Sequence, residues 1–375
     1  MKRTTGTYQT LGNLSSFVPN PLPPANPDLN VSGLTELYGS AMLKLGQLNE
    51  IVNRLPNVQR FVKAYVIKEA LLSSAIEGIH TTLLDVFTQP LSGTKPNKET
   101  QLVLNYTEAL DIALHIMQEQ GIPLASRVIL SAHKALMRVG QVDQASPGQY
   151  RKQAVRVGSL VPPPANQIPK LMADLENYMN TENNALPPLI RAGLVHVQFE
   201  TIHPFLDGNG RIGRLLIVLM LIDQGLLSAP ILYPSYYFKK HHLYYYQHLD
   251  EVRTQGDFEG WIKFYLQAIE ASCTDAYQRV KDIEILEQNI KNLLQSATLS
   301  TRTHCAAVEV LSLLFQFPII SVTELAQQLN KNYNTAQSFI KLFIKHGILF
   351  EITGHKRNKL YRFDAYLNLL EREYD

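Results

Sequence analysis

His203, Asp207, Asn209, Arg211 and Arg214 fall inside one short stretch, His203-Pro-Phe-Leu-Asp207-Gly-Asn209-Gly-Arg211-Ile-Gly-Arg214, interleaved with glycine. Together these residue types suit chemistry on a phosphate. Gly208 and Gly210 flank Asn209, so the backbone can turn sharply and expose its amides. A helix beginning near Arg211 would aim its unpaired first-turn N–H groups at the same spot, an anion site suited to a polyphosphate. Arg211 and Arg214 stand three apart, share a helix face and can both reach the anion. Asp207 offers a hard oxygen ligand for magnesium beside it. His203 could take a proton from an attacking hydroxyl. A glycine-rich helix–loop–helix corner with an incidental histidine would account for any one of these residues. It does not account for their convergence.

The stretch matches the signature His-x-Phe-x-(Asp/Glu)-Gly-Asn-Gly-Arg-x-x-Arg at every defined position, and by it the chain resembles the Fic family. That resemblance implies transfer of AMP from ATP to a hydroxyl side chain (Ser, Thr or Tyr) of target proteins, and of the chain itself. It makes His203 the general base, Asp207 the holder of Mg²⁺, and Gly208 to Gly210 the anion hole. Asn209 and Arg211 would orient the phosphates and Arg214 would grip the γ-phosphate. ATP is then the substrate and Mg²⁺ the cofactor.

A second motif lies upstream. Ser73-Ser-Ala-Ile-Glu77-Gly78 fits (Ser/Thr)-x-x-x-Glu-(Gly/Asn), which the same family uses to inhibit itself. Taken alone it is a solvated glutamate near a helix end. Yet a carboxylate at a helix C-terminus opposes the helix dipole and calls for a cation. The resemblance supplies Arg214, so Glu77 would occupy the place that the γ-phosphate needs.

The elements that must position these residues are mostly helical. Apolar residues recur at helical spacing from Leu34 to Glu77, with a break at Leu55-Pro56, and Phe61, Tyr65, Leu72 and Ile76 line one stripe. Gly78 is placed as a C-terminal cap. Further helices are expected at about 99–119, 126–139, 167–180 and 186–200. The apolar run after Gly213 then reads as a buried core helix. Trp261 to about Asn292 continues helical. Residues 1–32, rich in proline, read as an extended arm lying on the core. Val155, Val157 and Val161 alternate with polar or small residues around Gly158-Ser159, the pattern of a short hairpin over 150–161. The resemblance makes that hairpin a flap on which a target's backbone docks by strand addition. It also puts 235–246 over the ATP base, with His241 and Tyr245 as contacts. Zinc held by His241, His242 and His248 would lack its usual closing ligands.

Polar residues from Leu294 to Thr303 suggest a linker, after which the helical pattern restarts. Helices over 308–315, 325–329 (opened by a Ser321-Val-Thr-Glu324 capping box) and 334–346 precede strands at 348–353 and 360–363. This is a winged-helix pattern, with Lys356, Arg357 and Lys359 in the wing. The expected architecture is therefore mainly α, a Fic-type helical core with a short β-hairpin flap, plus a small C-terminal winged helix. Its parts are 1–98 (arm and inhibitory region), 99–292 (catalytic core) and 300–375 (winged helix). DNA binding through 300–375, and a homodimer, stand as open partner readings.

The composition, 45% hydrophobic and 18% charged over 375 residues with net charge +2, is that of an ordinary globular protein. It argues for neither a nucleic-acid nor a membrane partner. No apolar run approaches the ~20 residues that span a bilayer. Only Cys273 and Cys305 occur, so a reducing cytoplasm is expected. Two functions compete: a transcription regulator with a Fic-type sensor, resting on the C-terminal helix–turn–helix, and a hydrolase that uses the same site residues to remove AMP with Glu77 activating water.

Overall fold

The computed structural model describes residues 3–11, 14–54, 59–92, 95–138, 146–182, 185–297, 299–354 and 357–372. The chain is mainly α. Strands β1 (Gly6–Leu11) and β2 (Leu14–Pro19) precede helices α1 (Thr35–Arg54), α2 (Gln59–Ile76), α3 (Leu83–Ser92) and α4 (Lys98–Leu114). Then follow α5 (Ser126–Leu136), α6 (Ile168–Asn180), α7 (Pro188–Ile202), α8 (Asn209–Asp223), α9 (Ser235–Lys240), α10 (His242–Gln255) and α11 (Phe258–Ser296). The C-terminal part comprises α12 (Thr301–Gln316), β3 (Ile319–Ser321), α13 (Val322–Gln328), α14 (Tyr333–Lys345), β4 (Phe350–Glu351), β5 (Leu360–Arg362) and α15 (Asp364–Glu371).

Local chemistry sets many of these bounds. Asn97 accepts from Thr100 N at 2.7 Å to cap α4, and Asp257 accepts from Gly260 N at 2.9 Å to cap α11. Proline opens α6 and α7, where the missing N–H costs nothing. Gly78 follows α2 at φ +76°, the left-handed conformation that closes a helix. α7 and α8 are buried nearly all round and form the centre of the core. α11 packs on both α1 and α7, and Trp261 Nε1 donates to Gly193 O of α7 at 2.7 Å. Most expected helices stand within a few residues of their bounds, α12 starts well before the expected 308, and α3 and α15 are additions that the apolar spacing did not show.

The N-terminal arm is not merely extended. It folds into an antiparallel hairpin, Tyr8 facing Phe17, and Phe17 N donates to Val161 O at 2.8 Å. Arg3 anchors it, paired to Glu259 at 2.8 Å and donating to Gly256 O at 2.8 Å. The proline spacing signalled extension but could not show a partner strand. The segment 150–161 differs in the opposite sense. The turn at Gly158-Ser159 is present (Gly158 φ +55°), but pairing is reduced to one bridge, Val157 with Leu160. Strands there would need hydrogen bonds that Arg151 and Phe17 already draw elsewhere.

The C-terminal elements form a three-stranded antiparallel sheet of order β3-β5-β4 beside α12, α13 and α14. Ser321 accepts from Glu324 N at 3.1 Å, as the capping motif requires. Lys356 lies outside the described residues. The expected linker over 294–303 shrinks to a short connection, because α11 continues to Ser296 and α12 starts at Thr301. Nor is the tail a separate body. Phe315 packs against Phe61 of α2 with ring centres 6.1 Å apart, and Lys68 Nζ donates to Leu370 O at 3.0 Å. The buried Arg279 of α11 pairs with Asp275 at 3.0 Å and donates to Arg372 O at 2.8 Å. Apolar residues of 307–370 and of the remainder join one continuous core.

Candidate active site

The loop between α7 and α8 is built around two left-handed residues. His203 ends α7 at φ +50°, and Gly208 precedes α8 at φ +79°. At Gly208 a side chain would also press on Leu136 and Met137, so glycine is needed for both conformation and space. Asn209 closes the loop on itself. Its Oδ1 accepts from Phe205 N and its Nδ2 donates to Phe205 O, each at 2.8 Å. Asn209 thus has a structural role in holding the loop, and it is 2% exposed.

Arg211 and Arg214 are fully buried on α8, beneath the loop. Arg211 Nη2 lies 3.5 Å from Asp207 Oδ1. Arg214 is engaged by α2: Nε donates to Ser73 Oγ at 2.8 Å, and Nη2 donates to Ser73 O at 2.9 Å and to Glu77 Oε1 at 2.8 Å. The Glu77 carboxylate also presses on the first turn of α8, only 2.1 Å from where a side chain at Gly210 would begin. A carboxylate thus sits on the N-terminus of α8, where the helix dipole and first-turn amides favour an anion. Burial pushes the Glu77 carboxyl up, but Arg214 and Arg211 outweigh it and hold it below its usual range. Burial likewise opposes the Arg214 charge, and Glu77 more than restores it. Ser73, Glu77 and Arg214 are brought together, the grouping that the resemblance implied, with Gly78 just beyond the helix end.

His203 is neutral near pH 7. Burial pushes its pKa down to about 4, with Arg151 adding to the effect. A neutral imidazole can accept a proton, which is what a base must do. Its position is fixed by a residue that sequence reasoning passed over. Arg151, 2% exposed, donates from Nε to His203 O at 2.8 Å and from Nη2 to Pro163 O at 2.7 Å. Its own N donates to Pro204 O at 2.9 Å. One guanidinium thus ties the base to the segment carrying the 158–159 turn.

His133 was missed as well. Its ring stacks on Phe205 with centres 3.7 Å apart, and Nδ1 accepts from Gly148 N at 3.0 Å. Nε2 must then carry the proton and donate to Asp207 O at 3.0 Å. Burial, which pushes this ring to about 4, keeps it in that neutral form. His196 works similarly behind α8. Its Nδ1 donates to Gly213 O at 2.8 Å, so its Nε2 accepts from Tyr245 OH at 2.9 Å. Tyr245 is therefore spent inside the core at 1% exposed and cannot touch a base, contrary to expectation. The neighbouring Tyr246 is 45% exposed and packs on Tyr245 with ring centres 5.2 Å apart. His241 sits between α9 and α10 against Tyr237, with ring centres 4.2 Å apart. Among the described residues no group of His, Cys, Asp and Glu is arranged to hold a metal ion by itself. Asp207 is the loop's own carboxylate, which suits a hard cation shared with phosphate oxygens.

Residues 123–221 match the Fic/DOC family and residues 35–115 match its N-terminal region. The chain is similar to the protein adenylyltransferase Fic of Drosophila grimshawi, 29% identical over 208 residues, 52% of this chain and 40% of that protein. It is also similar to that of Drosophila willistoni, 28% identical over 231 residues, 58% of this chain and 44% of the relative. The chain thus spans less than half the length of these curated relatives. Among solved structures, a Fic family protein from Desulfovibrio desulfuricans is 25% identical with a TM-score of 0.53, covering 86% of this chain and 95% of that one. Fic-1 from C. elegans, 20% identical with a TM-score of 0.55 over 67% of this chain and 75% of its own, shares the fold.

Proposed function

We propose, from the premise that this chain belongs to the Fic/DOC family, that it transfers AMP from ATP to a hydroxyl side chain of protein targets and of itself. The observation that carries this reading is the Glu77 carboxylate on Arg214 over Gly210: the α8 N-terminus is a working anion site, already holding an anion. In the active arrangement the polyphosphate takes that place, with its phosphates on the loop amides, Arg211 and Arg214. The neutral His203 removes the proton of the acceptor hydroxyl while that oxygen attacks the α-phosphorus and pyrophosphate leaves. Positioning and charge neutralisation supply most of the acceleration. Asp207 would hold Mg²⁺, which neutralises phosphate charge when bound.

Glu77 sets the resting state. While it pairs with Arg214, the γ-phosphate has neither its cation nor its space, so the chain is autoinhibited. Targets dock beside 150–161, held by Arg151 and flanked by the N-terminal hairpin. We take the C-terminal sheet and helices as a winged helix used for partner choice. Of the wing charges, Lys359 is already paired with Glu351 at 3.0 Å, which weakens the case for DNA. The free thiols Cys273 and Cys305 agree with a cytoplasmic setting. Neither the regulator nor the AMP-removing alternative is favoured by the relatives' names. The test incubates pure protein with labelled ATP, with and without Glu77→Gly, and reads added AMP by intact mass. No AMP on either form, nor on any protein of a cell extract, would overturn the reading.

A further inference from the structure

A cleft of ≈ 430 Å³ opens beside the first half of α2, along the helix from the end that carries Ser73, where α2, α3 and α4 meet the C-terminal elements. Its walls are apolar, with Val66 and Ile67 from α2, Phe87 and Leu91 from α3 and Phe317 after α12. That volume and lining fall in the range of small-molecule sites. Three charged groups border it: Lys63, Asp111 and Glu324. Lys63 lies over the Phe317 ring at 4.7 Å. Among the described residues no ion pair closes on any of the three.

Glu324 is the informative one. It holds the third position after the Ser321 cap, where a glutamate ordinarily reaches back to the cap's N–H. Here only half of that motif is made. Glu324 N donates to Ser321 Oγ, but the carboxylate turns into the cleft, and its Oε2 is buried without a hydrogen-bond partner. A buried acceptor without a donor is costly, and a ligand that brings a donor removes that cost. Two carboxyls against one ammonium favour a cationic donor. Burial pushes the Glu324 and Asp111 carboxyls up and the Lys63 ammonium down, as expected of charges short of partners.

We propose that this cleft binds a small primary amine on an apolar body, of arylalkylamine size, with the ammonium on Glu324. Such a ligand braces α2 against the C-terminal elements. α2 runs unbroken from the cleft to Ser73 and Ile76, so the brace favours the arrangement in which Glu77 holds Arg214. A ligand that fits this arrangement shifts the population toward it. The coupling rests on the observed Glu77–Arg214 pair and not on the proposed chemistry.

The test titrates the full chain with 2-phenylethylamine by calorimetry, beside the neutral 2-phenylethanol. Saturable amine binding is expected, about tenfold tighter than that of the alcohol, since a hydrogen bond to a charged partner is worth roughly that factor. Glu324→Gln should erase the preference, and Thr107→Trp should fill the cleft and abolish binding of both. Hydrogen exchange of residues 70–78 should slow when the amine is present. Equal binding of amine and alcohol, absence of saturable binding, or binding that survives Thr107→Trp would each overturn the site. Should Thr107→Trp fail to fold, the Glu324→Gln comparison decides. Unchanged exchange over 70–78 despite binding would overturn the coupling.

Discussion

Replacing Glu77 with glycine removes one anion from one buried cation, and its effect can be worked from the geometry. Arg214 is 1% exposed and Glu77 23%, with Nη2 and Oε1 2.8 Å apart. A hydrogen bond to a charged group contributes roughly 1.5–3 kcal/mol net. If that contribution is what keeps Arg214 from the nucleotide, its loss raises the competent fraction by about 10- to 150-fold. The same change removes the carboxylate hydrogen-bonded to Arg214 and leaves its bonds to Ser73 Oγ and Ser73 O, so the protein without nucleotide should be less stable. Unpairing a buried charge costs up to about 3–5 kcal/mol, and Glu77's partial exposure places the loss toward the lower end, because water can enter. Added ATP should then stabilise Glu77→Gly more than wild type, since its phosphates refill the vacated place. Glu77→Gln keeps the shape without the charge and should fall between. The assay is the initial rate of AMP incorporation by intact mass, beside thermal unfolding with and without ATP. Arg214→Ala in the Glu77→Gly background should return the rate to wild-type level or below. A Glu77→Gly rate equal to wild type, or a gain that survives Arg214→Ala, would refute the reasoning.

His203→Ala should lower transfer by about 10²–10⁴-fold while ATP binding, measured by calorimetry, persists. Because the folded His203 pKa lies near 4, the ring is the free base throughout pH 6–8. kcat/KM of Glu77→Gly should therefore stay level on that side down to about pH 5.5 and fall below it; a midpoint near 6.5 would contradict the burial argument. Arg151→Lys loses the fork that holds His203 O and Pro163 O, so kcat should fall at least tenfold with ATP affinity kept. Unchanged kcat would free the base from that clamp. Truncation near Ser300 uncovers Phe61 and strips the Arg279 and Lys68 contacts, so the shortened chain should unfold well below the full one. An equal unfolding temperature would restore the tail as an independent unit.

The loop from His203 to Arg214 was legible because its chemistry is written in side-chain types at fixed short spacing. The Glu77–Arg214 pair was legible only because a second motif accompanied the first, for the two lie far apart in the chain. Arg151, His133 and His196 were not legible for a common reason. Each acts through a backbone carbonyl or amide, at Pro163, Asp207, Gly148 and Gly213, and main-chain groups leave no mark on residue identity. Tyr245 and Tyr246 show the limit of helical phase. The two rings touch, with centres 5.2 Å apart, yet one is buried and the other half-exposed, and which one meets the core depended on an unseen partner, His196. The tail's helix caps were readable, but its apolar faces looked the same whether they packed on each other or on α2.

Gly210 carries a consequence for how such a protein can drift. The restraining carboxylate and the anion loop meet at this one Cα, with no room between them for a methyl group. A substitution there would expel Glu77, yet it would also put a side chain where the phosphate must lie. Loss of restraint through the loop therefore brings loss of chemistry with it. On the proposed reading, hyperactive variants are expected from changes on the α2 side, at Glu77 itself or in what seats that helix. Damage at Gly210 is then fail-safe, and the target for hyperactive variants lies at the end of a helix that contributes no group to the proposed reaction.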